Sequence, residues 1–208
     1  MIYRLTSKLA KKLKRYPSNT APDENNPFID WASTLFRVEG YQYILVTNRQ
    51  SLLSWVFYGK GINDSNTYIR AANQAIRDCL HHHNFEFIYE SHVAPHMGII
   101  RFSKIGDRSV NGVMVDLIKH AEIHTIQDDL APCEIGPILN GIPQCKRKNI
   151  WPIDAFGEMQ VTPLADTKAQ RSPVAKHVDI LPKFDMFPQP VDSIDMNTNC
   201  SRILRGYI

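Results

Sequence analysis

Residues 35–48 read LFRVEGYQYILVTN, and the reading of this stretch decides the fold. β-branched and aromatic side chains on both sides of Glu39-Gly40 are the chemistry of a tight hairpin, so strands are predicted at 35–38 and 41–47. In the second strand Tyr41, Tyr43 and Leu45 share one face while Ile44 and Val46 share the other. Apolar residues on both faces place that strand inside a sheet covered from two sides. Residues 52–58, LLSWVFY, are apolar on both faces as well and supply a third strand.

Upstream of the hairpin, residues 1–5 predict a short strand. Thr6 or Ser7 can cap a helix in which Leu9 and Leu13 lie one turn apart and which ends before Pro17. Residues 17–27, PSNTAPDENNP, form a loop by composition.

Downstream, Asn63 or Asp64 can cap a helix carrying Ile69, Ala72, Ile76, Cys79 and Leu80 at helical spacing, which stops near His81, His82 and His83. Cationic side chains there suit a helix C-terminus, and three consecutive residues spread around a helix rather than converge on a metal. Phe85, Phe87 and Tyr89 alternate with Glu86, Ile88 and Glu90, and together with residues 99–104 this alternation predicts a second hairpin. Glu86 and Glu90, about 13 Å apart along such a strand, are too far separated for a glycosidase pair. The helix starting at Asp107 is the clearest of all, with Val110, Val113, Met114, Leu117, Ile118 and Ala121 on one stripe.

The expected class is α+β: a largely antiparallel sheet from two hairpin units with three helices packed on it, in the order β-α-β-β-β-α-β-β-α. The globular domain is expected to span residues 1–143. Nine of the thirteen prolines fall between Pro132 and Pro190, so residues 144–208 read as an extended proline-rich arm. Its anchors Trp151, Phe156, Phe184 and Phe187 predict packing on the domain, on a second copy or on a protein partner.

The segments MIYRLTSKLAKKLK, NPFIDWASTLFRVEGYQYILVTN, SLLSWVFYGKGI, DRSVNGVMVDLI and LNGIP, in that order, resemble a bacterial family known only as a domain of unknown function. The likeness covers residues 1–143 and includes a helix start matched by Arg108, Ser109, Val110, Gly112 and Met114. Asn111 and residues 113–115 depart from the usual pattern, and nothing after residue 160 has a counterpart. The resemblance implies a fold boundary and no activity.

Composition narrows the classes. A chain of 208 residues that is 43% apolar can bury a core without a metal or disulfide staple. No apolar run approaches the roughly 20 residues of a membrane helix, and the N-terminal segment has no apolar signal region, so a cytoplasmic protein with no membrane contact is expected. Cys79, Cys133, Cys145 and Cys200 lie far apart and read as reduced thiols, with a Cys133–Cys145 bridge as the alternative. The net charge of +3 hides an asymmetry: residues 1–16 carry six cations and no acid. A contact with a polyanion would therefore be local.

Four sets of side chains are candidates for chemistry. Gly59-Lys60-Gly61 and Gly106-Asp107-Arg108-Ser109 each lead into a helix, and Lys60, Arg108 and Ser109 would bind an anion if the two helix ends converge. Asp116, His120 and His124 form an i, i+4, i+8 row suited to zinc or a similar divalent metal, completed by His92 or His96, and would serve a metal-dependent hydrolase or nuclease. HAEIH is not the metalloprotease motif, because Glu122 lies about 160° round the helix from His120. Lys8, Lys11, Lys12 and Arg15, with Lys146, Arg147 and Lys148, form candidate nucleic-acid contacts. No nucleophile elbow is present, and no cofactor is implied. The leading expectation is a non-catalytic interaction or regulatory protein, inhibitory or antitoxin-like, with nucleic-acid binding as the alternative.

Overall fold

The computed structural model describes residues 1–19, 25–144 and 150–161. The chain divides into two compact units, Met1–Leu164 and Ala165–Ile208. The described residues all belong to the first, which extends past the boundary expected at 143; most of the expected arm lies outside them.

The hairpin forms as its sequence dictates. Strands β2 (Asp30–Val38) and β3 (Tyr41–Asn48) pair antiparallel with Val38 opposite Tyr41. Glu39 and Gly40 both adopt positive φ, at 47° and 86°, the conformation a two-residue turn needs to match the twist of its strands. Strand β4 (Ser54–Tyr58) adds antiparallel to β3, and β1 (Ile2–Leu5) lies parallel to β2. The sheet order is β4-β3-β2-β1-β5, where β5 is Arg101–Lys104.

Helix α1 (Ser7–Lys12) is capped by Thr6 and α2 (Ser65–His82) by Asp64. Short helical turns follow at α3 (Glu86–Ile88), Tyr89–Val93 and Ala94–His96, then α4 (Arg108–Gln127), α5 (Pro132–Asn140) and α6 (Pro152–Gly157). The fold is α+β. One face of the sheet buries Tyr3, Trp31, Ile44 and Val46 against α1, α2 and Phe156 of α6; the other buries Phe36, Tyr43 and Leu45 against α4 and α5. The alternation read in β3 thus divides between two cores.

Three expectations are corrected. The sheet is mixed rather than largely antiparallel, because β1 pairs parallel with both β2 and β5. The second hairpin does not exist: residues 86–96 are helical, and β5 joins the far edge alone. Phe85, Tyr89 and Val93 recur every four residues and turn toward the core, while Phe87 stays 80% exposed; a helical spacing was overlaid by a short alternation. Among the described residues there are more than the three helices expected: α5 and α6 form because Pro132 and Pro152 occupy first-turn positions, where a missing N–H costs nothing.

Two ties fix this arrangement. Arg4, 2% exposed, points away from Tyr3 and Leu5 and grips Asp30 with two bonds, at 2.6 and 2.8 Å. This clamp joins β1 to the start of β2. At the other edge α5 presses on β4 so closely that a Cβ at Gly136 would lie 2.7 Å from Cδ2 of Trp55.

Arg4→Met should lower stability by about 1–3 kcal/mol by leaving the partly buried Asp30 with only the more exposed Arg49, at 3.5 Å, to face it, and a second change, Asp30→Leu, should recover part of the loss; urea unfolding of both variants checks this. Gly136→Ala should cost about 1–3 kcal/mol through overpacking. Helix propensity alone predicts a gain of up to about 1 kcal/mol, so the sign of the measured change decides between them.

Candidate functional site

The anion candidates do not converge. Lys60 follows β4 at one edge of the sheet, whereas Arg108 and Ser109 follow β5 at the other. Four interstrand spacings put those edges about 19 Å apart, and α2 and α4 lie on opposite faces. Each helix end already holds a carboxylate. Asp64 accepts from the Asn66 and Thr67 amides at 2.8 and 3.0 Å, and Asp107 from the Ser109 and Val110 amides at 2.9 and 3.3 Å. Hydrogen bonds from Thr67 hold the Asp64 carboxyl below its usual range.

Of the metal candidates on α4, Asp116 and His120 share one depression while His124 turns to Asp128. Asp116 pairs with Lys119 at 3.2 Å, and His124 Nδ1 meets Asp128 at 2.7 Å. His120 lines a depression of about 300 Å³ with Asp116, Lys119, Pro143 and Gln144. His92 stacks on Phe28 in the opposite core, with centroids 5.2 Å apart. Among the described residues no three His, Cys, Asp or Glu side chains gather to hold a metal ion.

The basic residues split into ties and free ends. Lys12 Nζ donates to Gln42 and, at 2.7 Å, to the Gly59 carbonyl, so it fastens α1 to β3 and to the end of β4. Burial and then nearby Arg37 lower its pKa. Arg15 donates to Ser65 Oγ at 2.6 Å and lies over the Phe102 ring. Lys8 and Lys11 are exposed. Lys146, Arg147 and Lys148 lie outside the described residues.

One polar node escaped the reading of the sequence. Asn140, 1% exposed, accepts from the Ser54 amide at 2.7 Å and donates to the Ser54 carbonyl at 3.0 Å and to His83 Nε2 at 2.9 Å. Its amide therefore pairs with the open edge of β4 much as another strand would. Cys79 lies beside it, its thiol 3.9 Å from the same carbonyl.

Cysteine, histidine and asparagine in one place resemble a nucleophilic set, but the electrostatics run the other way. Burial raises the Cys79 thiol well above its ordinary value, and burial followed by His82 lowers His83 to about 4. A reactive pair needs a stabilised thiolate beside an imidazolium. Here the thiol stays protonated and the imidazole neutral. The sequence signal was faint: Asn140 is the one amide in the apolar run ILNGIP. Cys79 is a free buried thiol, as expected, whereas Cys133 is disulfide-bonded, a departure from the reading of all four cysteines as reduced.

A mixed sheet enclosed by two helical layers, many of its polar groups engaged in internal ties, defines an α+β domain tied by hydrogen bonds between residues far apart in sequence. The chain belongs to the family described as a domain of unknown function, DUF6933, which matches residues 2–155. No curated protein and no solved structure matches it. No helix among the described residues is long and apolar enough to cross a membrane.

Because His83 binds a proton less readily when folded than when unfolded, its contribution is complete above the ordinary histidine value of 6.5 and is lost as pH falls from there toward about 4. With its partial exposure discounted, the loss should be on the order of 1–2 kcal/mol. Urea midpoints at pH 7.5 and pH 5 should show it, and His83→Gln should flatten the dependence. Equal slopes in the two proteins would remove His83 as its source.

Proposed function

We propose that the protein is a non-catalytic interaction protein, acting in the bacterial cytoplasm as a regulatory, inhibitory or antitoxin-like component. One observation carries this reading: the side chains best suited to chemistry are tied into the fold. Cys79 and His83 brace the β4 edge, Lys12 and Arg15 hold α1, and Asp64 and Asp107 cap helices. A group that must hold an element in place is poorly free to move a proton or attack a substrate. Apolar side chains left facing water, Phe87 and Ile99 at 80% and 62% exposure and, on the other helical layer, Ile126 at 56%, offer separate contact points to a partner.

The proline-rich residues 144–208, with Phe184 and Phe187 as anchors, are the second place for contact, with a protein partner or another copy of the chain. Light scattering of the full chain should show self-association, or its capture from native lysate should yield a stoichiometric partner. A chain ending at Val161 should keep a cooperative melt at an unchanged temperature and lose that association. A full-length chain that stays monomeric and retains nothing would overturn the reading.

A further inference from the structure

Lys12 lies where four elements meet. Its bonds to Gln42 and to the Gly59 carbonyl bring α1 against the start of β3 and the turn that carries Lys60. Gln42 is the cross-strand partner of Arg37, and Arg37 lies near enough to Lys12 to lower its pKa. Lys8 and Lys11 extend the same outer face of α1, opposite buried Leu9 and Leu13, and Lys14 follows at its end. The fold thus sets Lys12 beside Arg37 at one end of the sheet, with Lys60 in the adjoining turn and Lys8, Lys11 and Lys14 along and just after α1.

The acids on these elements do not balance them. Asp64 is engaged as the α2 cap and Asp30 is held by Arg4, while Glu39 of the hairpin turn and Asp129 act on Tyr43 and pair with none of these cations; Asp23 and Glu24 lie outside the described residues. Among the described residues Lys8, Lys11, Lys14, Arg37 and Lys60 make no ion pair. Residues 162–208 carry five acids against six cations, so that part of the chain has no net negative charge to offer. Clustered like charges repel, and an anionic partner would relieve the repulsion.

One neighbouring side chain indicates which anion. Tyr16, directly after Lys14 and Arg15, is fully exposed at 100%. An aromatic face beside mobile lysines suits a strand whose phosphates meet the cations while a base stacks on the ring. An acidic polypeptide offers charge and no base.

We propose that this rim, formed by Lys8, Lys11, Lys14, Arg37 and Lys60 with Tyr16, is a docking surface for single-stranded nucleic acid. The proposal rests on the reading of the protein as a binder and names its partner.

Fluorescence anisotropy of the full chain with a labelled oligonucleotide of about 20 nucleotides, from about 50 to 200 mM salt, tests it. Five phosphate contacts predict a log–log salt slope of roughly −3.5. Changing Lys8, Lys11 and Lys14 to Gln should reduce that slope by about 2 and weaken low-salt binding at least about tenfold. Tyr16→Ala should weaken it at least about fivefold. Lys119→Gln, on α4, should change neither, and thermal melts of all variants should match the parent.

Absence of binding at low salt would overturn the proposal, as would binding that the triple variant leaves unchanged. Equal competition by polyglutamate, with no effect of Tyr16→Ala, would reassign the surface to an acidic polypeptide and also overturn it. Failure here while the full chain still retains a protein partner would leave the interaction reading standing; failure of both would remove it.

Discussion

A sheet covered on both faces gives its strands almost no route to water, and every polar group within it must be met from inside the chain. That constraint governs the structure. Arg4 is answered by Asp30, the Tyr68 hydroxyl donates to Ser33 at 2.6 Å, and Tyr3 donates to Asn73. Burial pushes both phenols above their ordinary values, which keeps them neutral and suited to such bonds. Even the edge obeys: the amide of Asn140 meets Ser54 where no further strand does. Leaving such a group unanswered costs about 1–3 kcal/mol, and more when it is charged.

The same constraint explains how much of the fold was legible. Local rules carried the hairpin, the caps at Thr6, Asp64 and Asp107, and the stripe of α4, since each depends on residues within a turn or two. What escaped depends on distance along the chain. Nothing within IYRL reveals that β1 will lie between β2 and β5, whose partners begin at Asp30 and Arg101. All four of its residues are buried, and even that hint is softened by an arginine whose carboxylate lies 26 positions away. Residues 85–90 were misread because six alternating positions fit a strand and a helix about equally, and only the core against which Phe85 and Tyr89 pack decides between them.

The candidate site was less legible than the fold, for a related reason. Sequence reasoning groups residues by spacing on one element, as with Asp116, His120 and His124, or by shared local context, as with Lys60 and Arg108. Function needs convergence between elements. The groups that do converge are separated widely: Asn140 lies 57 positions from His83 and 86 from Ser54, and Lys12 lies 47 from Gly59. No spacing rule joins them, and the histidines singled out as helix-end cations include one that is a neutral acceptor in a buried node.

These ties divide the side chains by task. Where a polar group lies inside, the fold has in most cases supplied its counterpart, down to the lone amide at the edge of β4, with His81 Nε2 an exception. At the rim around Lys12 the pattern reverses. The ammonium of Lys12 is satisfied by neutral acceptors, and among the described residues the cations around it form no ion pair. Exposed pairs are individually weak, up to about 1 kcal/mol, so stability alone gives little pressure to place acids there. It gives equally little reason to crowd cations together. Arg37 raises the cost of charging Lys12, and an acid in its place would lower it. A chain that answers most of its interior polar groups while these cations stay unpaired among the described residues has electrostatic demand left at the surface, where an anionic partner would meet it.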